Sequence, residues 1–242
     1  MFRAGLVALS FMWALCAHGK VLYTGDSTPG SQGWLGPIAG TQTLDPGGFV
    51  TLDTSASQLI QGGYGLIEPL LESNPGFRLD FTARVDSEVH SKNNRAGFSL
   101  IVTDGAKHGI ELGFWEDQIW SQSVDFALPP SNQVSFDTTA MTDYSLTVIG
   151  SHYQLRAGGN ELLAGDTVFY DAPGLLGSDF PYRTPHVLFF GDDTTSASAK
   201  FSLQSVELTT VPEPRLLSLL CAGLGLLMWT LRRGARTPMH QS

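Results

Sequence analysis

An all-β fold, a two-sheet antiparallel jelly-roll sandwich, is what this sequence predicts, and three observations predict it. Apolar and polar residues alternate with period two in segment after segment, the pattern of a strand buried on one side. Twenty-seven glycines and thirteen prolines punctuate these segments, as turns between short strands require. The interior of the chain holds no helical period of useful length. An apolar segment at each end lies outside this pattern.

At the start, Met1, Phe2 and Arg3 precede an apolar run from Ala4 to Ala17, broken only by Gly5 and Ser10. One positive charge, a short apolar stretch and the small residues Ala17 and Gly19 are the parts of a signal peptide. Signal peptidase is expected to cut after Gly19, removing residues 1–19. Leu15, before Cys16, is too bulky for lipoprotein processing.

The domain then runs over residues 20–210. Leu79, Phe81, Ala83 and Val85 alternate with polar neighbours, as do Ala96, Phe98 and Leu100, and then Ile110, Leu112 and Phe114. The run from Tyr144 to Ile149 meets Gly150 and Ser151, a two-residue hairpin turn into His152 to Ala157. Gly158 and Gly159 mark the next turn, followed by Glu161 to Ala164. The last strands read as His186 to Phe190 and Ala199 to Leu208, separated by Gly191, Asp192 and Asp193. Pro129-Pro130 and Ala172-Pro173-Gly174 are loops within one domain, because strand pattern resumes after each.

Beyond the domain, Val211-Pro212-Glu213-Pro214 leads into an apolar run from Leu216 to Leu231, then Arg232, Arg233 and Arg236. The prolines break any regular element. The run is slightly short beside the ~17–25 residues of a membrane helix, and Arg215 and Arg232 can snorkel at its ends. A transmembrane helix over 216–231 is expected, with the arginines holding residues 237–242 in the cytoplasm and the domain outside.

Charge and cysteines limit the functions open to the domain. All 23 acidic residues lie between Lys20 and Pro214 with only nine of the fourteen Lys and Arg, a formal charge of −14. Such a field excludes nucleic acid as a partner, while favouring solubility and divalent cations. The two cysteines, Cys16 and Cys221, are both in the apolar ends, so the folded part holds no disulfide and no thiolate metal site.

The ordered set of Val211-Pro212-Glu213-Pro214, a short apolar run and an arginine-rich end resembles the PEP-CTERM sorting signal of Gram-negative bacteria, over residues 211–236. The resemblance implies processing by exosortase, a membrane cysteine peptidase-transpeptidase that would recognise Pro212, Glu213 and Pro214. It also implies a place at the cell surface, or in the matrix of a species that makes extracellular polysaccharide and biofilm. The tail from Thr237 to Ser242 is longer than such signals usually show. The stretch from His186 to Leu208 is similar to the closing strands of concanavalin A-like and laminin-G-like jelly rolls. The longer stretch from Gly62 to Leu208 resembles choice-of-anchor extracellular domains, on Gly62-Gly63-Tyr64-Gly65, Arg95 to Ser99 and Gly109 to Asp117.

Glu111 and Glu116 invite comparison with jelly-roll glucanases, which need two carboxylates on one face. Residues five apart in a strand point to opposite faces, which argues against that chemistry. The same alternation places Glu111, Gly113, Trp115 and Asp117 together, with Arg95, Glu88, His90 and Trp120 near in sequence. An aromatic among carboxylates suits a sugar, whose apolar face stacks on a ring while its hydroxyls meet the acids. The competing reading has Trp115 in the core and Arg95 paired with Glu111 or Glu88. Asp192 and Asp193 are read either as Ca²⁺ ligands together with backbone carbonyls or as a solvated turn. The six histidines show no metal-ligand spacing. No glycine-rich loop opens a helix for a nucleotide phosphate, and no G-x-S-x-G elbow is present.

The functional expectation is an exported, non-catalytic domain that binds carbohydrate or extracellular matrix and is anchored to the membrane by its C-terminal helix. The alternatives are a structural surface or biofilm component acting through protein contacts, and a polysaccharide-cleaving enzyme.

Overall fold

Period-two alternation turns every second side chain of each strand toward one interior, and two sheets share it. The computed structural model describes residues 19–123, 132–171, 180–211 and 223–228. In chain order the strands are β1 (Gly19–Thr24), β2 (Thr41–Asp45), β3 (Phe49–Asp53), β4 (Gly62–Ile67), β5 (Phe77–His90), β6 (Ser99–Thr103), β7 (His108–Phe114) and β8 (Gln118–Ser121). They continue with β9 (Asn132–Ser135), β10 (Thr142–Ile149), β11 (His152–Ala157), β12 (Asn160–Asp166), β13 (Val168–Phe169), β14 (Val187–Asp192) and β15 (Ala197–Thr210).

The first sheet runs β12-β11-β10-β5-β15-β3-β2, with β1 also paired to β15. The second runs β4-β14-β6-β7-β8-β9, with β13 paired to β7. Each pairing is antiparallel. The expected hairpins form: Gly150 and Ser151 join β10 to β11, and Gly158 and Gly159 join β11 to β12. Both turns need left-handed backbone, which glycine adopts without strain, and φ is 59° at Gly150, 56° at Gly158 and 83° at Gly159.

Aromatic rings fill the space between the sheets. Phe81 of β5 stacks on Tyr144 of β10 at 5.0 Å and meets Phe190 of β14 edge-on at 5.3 Å. Phe98 stacks on Phe201 of β15 at 4.3 Å, so the same layer ties the opposite sheets together. Ile110, Leu112 and Phe114 of β7 point into this core.

One reading changes on contact with the structure. The alternation expected to continue to Asp117 stops with β7 at Phe114, because the Trp115 amide donates to the Gln118 carbonyl and closes a turn. Gly19, placed at the cleavage site, is already the first residue of β1, opposite Thr209. Of the expected membrane helix, the described residues include Gly223–Met228, which are helical, with Leu224, Leu226 and Met228 exposed. Among the described residues, no helix is long and apolar enough to cross a membrane. The rest of the expected signal peptide, Pro212, Glu213, Pro214, Arg232, Arg233 and Arg236 lie outside the described residues.

The interior layer sets a test of the packing. Phe81→Ala leaves a ring-sized void among Tyr144, Phe114 and Phe190, so urea denaturation should show a loss of about 3–5 kcal/mol.

Candidate functional site

Glu111 and Gly113 take the face of β7 opposite to Ile110, Leu112 and Phe114, which is the outer face of the second sheet. That face is covered. Val168 and Tyr170 from β13 and the turn after it, with Tyr182 from the approach to β14, pack over Ile101, Val187 and Phe189. Glu111 is therefore only 2% exposed.

Its partners are specific. The Tyr182 hydroxyl lies 2.8 Å from one Glu111 oxygen, and the Ser99 hydroxyl donates to the other at 3.3 Å. Tyr182 is also hydrogen-bonded to the carboxylate of Asp193, just past the end of β14. A phenol has one hydrogen to give, so it cannot satisfy two carboxylates at once. One of the acids must carry a proton and donate it to the phenol oxygen. Glu111 is the natural holder: burial first, and the nearby Asp193 charge second, push its pKa from 4.5 up to about 8. The bonds from Tyr182 and Ser99 and the charge of Arg95 oppose that rise. Asp193 is raised as well, through burial, with the Tyr182 bond and Arg95 pulling it back. Burial and the two acids together drive the Tyr182 phenol well above its ordinary range. With the phenol keeping its own hydrogen and one acid protonated, the cluster of Glu111, Tyr182 and Asp193 holds two protons and one negative charge.

Beside this cluster is a pocket of ≈ 270 Å³ lined by Ile38, Gln61, Phe180, Pro181, Tyr182, Phe189, Asp192 and Asp193. Phe180, half-buried, and Phe189, buried, meet edge to face at 6.0 Å and form an aromatic wall of which Phe180 is the open part. Gln61 donates its amide to the Asp193 carbonyl at 2.7 Å. The pocket is thus lined by a phenol, a carboxylate and an amide, each already hydrogen-bonded within the protein, against rings. A larger depression of ≈ 510 Å³ crosses the outer face of the first sheet. Its polar side chains satisfy one another, Thr82 donating to Asp143 and Ser205 to Thr82, and its aromatic neighbours Tyr23, Phe81 and Tyr144 are buried. It presents no ring to a ligand.

The other residues singled out in the sequence gather nearby in different roles. Trp115 stacks on His90 at 4.0 Å with the rings 8° apart, and donates its indole N–H to the Arg95 carbonyl at 2.9 Å. Asp117 is exposed in the β7–β8 turn, where its carbonyl accepts the Phe136 amide. Glu116 accepts the Glu88 amide at 3.0 Å, and the Glu88 carboxylate pairs with His90. Burial raises the Glu88 pKa, with the His90 bond opposing. Trp120 is fully buried against Gly113, where any Cβ would lie 2.3 Å from the indole. Arg95 links the two groups, its carbonyl holding Trp115 while its charge acts on Glu111 and Asp193.

Glu111 and Glu116 do not form a pair, as the spacing argued. The acid that Glu111 does meet is Asp193, on another strand. Retaining glycosidases hold two carboxyl groups about 5–5.5 Å apart with a sugar between them; here the Tyr182 hydroxyl occupies that place. Asp192 and Asp193 diverge as neighbours in a strand do. Asp192 turns inward, taking the Thr54 hydroxyl at 3.1 Å and the Thr194 amide at 3.1 Å, and burial pushes its pKa up to about 8. The two carboxylates thus take different partners, although both residues line the same pocket. Among the described residues, no group of three or more His, Cys, Asp or Glu converges to hold a metal.

No family model matches the chain, and no curated protein does. Solved structures do resemble it. A carbohydrate esterase from Shiga toxin-encoding bacteriophage phi24B matches 81% of this chain and all of its own at 12% identity, with a TM-score of 0.55. The exoplasmic/lumenal domain of VIP36, in a Ca²⁺/Man-bound form, matches 74% of this chain and 83% of its own at 12% identity and TM-score 0.44. A botulinum neurotoxin type G receptor-binding domain matches 73% of this chain at 8% identity and TM-score 0.42, and the chain spans 42% of that protein. The likeness is one of fold.

The raised carboxyl groups fix a pH dependence. The folded chain keeps protons on Glu111 and Asp192 up to about pH 8, whereas unfolding returns these groups to ordinary values of 4.5 and 3.8. Unfolding therefore releases protons across that window, and stability falls as pH rises through it. Thermal melts from pH 5 to 8.5 should show a declining midpoint. Glu111→Gln, which keeps an N–H to donate to Tyr182 without titrating, should flatten the decline.

Proposed function

We propose that this chain is an exported surface protein whose sandwich binds a neutral, hydroxyl-rich glycan without cleaving it, at the pocket beside Tyr182 and Asp193. One observation carries the reading: a concave site where a carboxylate, a phenol and an amide converge on an aromatic wall. Sugars ask for that combination, since a pyranose offers hydroxyls to polar groups and C–H faces to rings. Glu111 sits behind Asp193 as the acid that shares the phenol and holds Tyr182 in place. Trp115, stacked on His90 and bonded to Arg95, supports the loop from Ser91 to Phe98 in this reading. Cleavage is disfavoured because Tyr182 stands between Glu111 and Asp193 and bonds both.

The delivery route belongs to the same proposal. The charged start and apolar run of residues 1–19 would direct export. The Val211-Pro212-Glu213-Pro214 segment, the apolar run and the terminal arginines would anchor the chain in the cytoplasmic membrane of a Gram-negative cell and offer it to exosortase. A cysteine-free folded part has no oxidative step to complete outside. The intact mass of the surface form checks this route. Loss of residues 1–19 supports it, and a full-length soluble cytoplasmic chain rejects it.

Binding is tested on the membrane-extracted protein with a glycan array and titration calorimetry, with and without Ca²⁺. Gln61→Ala and Phe180→Ala should weaken binding, the former about 3- to 10-fold for one lost neutral hydrogen bond of ~1 kcal/mol. Trp115→Ala should leave affinity nearly unchanged. Binding to no glycan, or affinity indifferent to both pocket variants, rejects the site. Reducing ends released from polysaccharide and abolished by Glu111→Gln would replace the binding reading with an enzymatic one.

A further inference from the structure

The two chain ends leave the sandwich side by side. β1 opens with Gly19 opposite Thr209, near the finish of β15. Val211, the residue after β15, donates its amide to the Gly76 carbonyl at 2.9 Å. The apolar run begins at Leu216, so the link from Val211 is about 18 Å at full stretch. Whatever surface receives that run lies close to this end of the domain.

The loops around Val211 carry large apolar side chains that the core does not use. Ile67, Leu70, Ile149 and Phe169 are each 42–49% exposed. Their neighbourhood is well defined. Gly76, which holds Val211, packs so closely on Ile149 that an added Cβ would lie 2.9 Å from it. The Gly150 amide donates to the Ser73 carbonyl, and the Thr167 amide donates to the Ser151 carbonyl, which draws β13 and Phe169 alongside. Leu70 follows Glu68, whose carboxylate holds the Lys20 ammonium beside the start of β1.

Electrostatics at this end differ from those of the whole chain, which is strongly acidic at −9. Glu68 is matched by Lys20, Asp171 by Lys107, Asp166 by His152 and Glu72 by His186. Asp104 is buried under the Ser73 hydroxyl and its own turn amides. An acidic surface would be driven from anionic headgroups. Here Glu68 and Asp171 are paired with lysines, Asp166 and Glu72 sit against histidines, and apolar side chains stand among them.

We infer that this end of the sandwich is a membrane-resting face, with Ile67, Leu70, Ile149 and Phe169 seated in the lipid interface. The inference rests on the proposed anchoring by the apolar run after Val211. Four exposed apolar groups, with the acids among them held by lysines and histidines, suit a headgroup boundary. The same arrangement orients the domain. β5 runs from Phe77, beside Val211, to His90, and at ~3.3 Å per residue its fourteen residues cover roughly 45 Å. β14 likewise ends at Asp192 on the His90 side, so the pocket beside Asp193 and Gln61 opens at the end turned away from the bilayer.

Tryptophan quenching by brominated phosphatidylcholine tests this on the membrane-extracted chain in vesicles. Trp229, inside the apolar run, reports the anchor in the wild type. Ile149→Trp and Leu70→Trp place a reporter on the resting face. Val89→Trp, an exposed site at the far end of β5, is the control. Quenching of Trp229 and of the added emission at positions 149 and 70, but not 89, is the expected result. Quenching of Trp229 without quenching at 149 and 70 overturns the resting face, leaves the anchor standing and turns these residues over to a protein partner or a second copy. Equal quenching at 89 overturns the orientation. No quenching of Trp229 removes the anchor, and the resting face with it.

Discussion

The pairing of β5 with β15 is the constraint on which the other elements depend. Two fourteen-residue strands lie antiparallel from Phe77 opposite Thr210 to His90 opposite Ala197. β10 extends the sheet from one side of this pair, and β3 and β1 share the free edge of β15. Two irregularities in the register, after Lys200 and after Leu203, let so long a pair coil instead of lying flat. Because each partner reaches the full height of the sandwich, their termini define two poles. The chain ends gather at one, and the Asp193 pocket and the His90–Trp115 stack gather at the other.

The second sheet shows what it takes to keep acids buried. Glu111 and Asp193 are not neutralised by a salt bridge of their own. They are satisfied by a phenol able to give and accept, by Ser99, and by the more distant charge of Arg95. Removing one member of such a network leaves the others desolvated without a partner, which costs more than a surface hydrogen bond. The cluster therefore fixes the position of Tyr182, and Tyr182 in turn forms one wall of the pocket.

Much of the sandwich was legible in the residues because alternation and turn chemistry agree there. The β10–β11–β12 meander follows from Gly150, Gly158 and Gly159 between clean period-two runs, and β5, β7, β14 and β15 follow from their apolar faces. Strands such as β4, with the sequence Gly-Gly-Tyr-Gly-Leu-Ile, are buried by close backbone approach and leave no periodic trace. The face shared by Glu111 and Gly113 was readable, but its covering was not. The segment that covers it includes Tyr182 between Pro181 and Arg183 and reads as loop. Asp193 is brought to Glu111 by strand order alone, which no local pattern encodes. Trp115 was placed by extending an alternation that the Trp115–Gln118 turn cuts short.

The central position of β15 also bears on how the molecule is made. Its partners β1, β3 and β5 come early in the chain, while β15 comes last. For a polypeptide delivered amino end first, by a ribosome or through a secretion channel, the middle of the first sheet stays vacant until residues near Thr210 emerge. β1 then has no partner to close upon and the β2–β3 hairpin stays unjoined to the β5–β10 pair, and contacts of such long sequence separation form slowly. Late closure of this kind makes completion of the fold coincide with the emergence of β15.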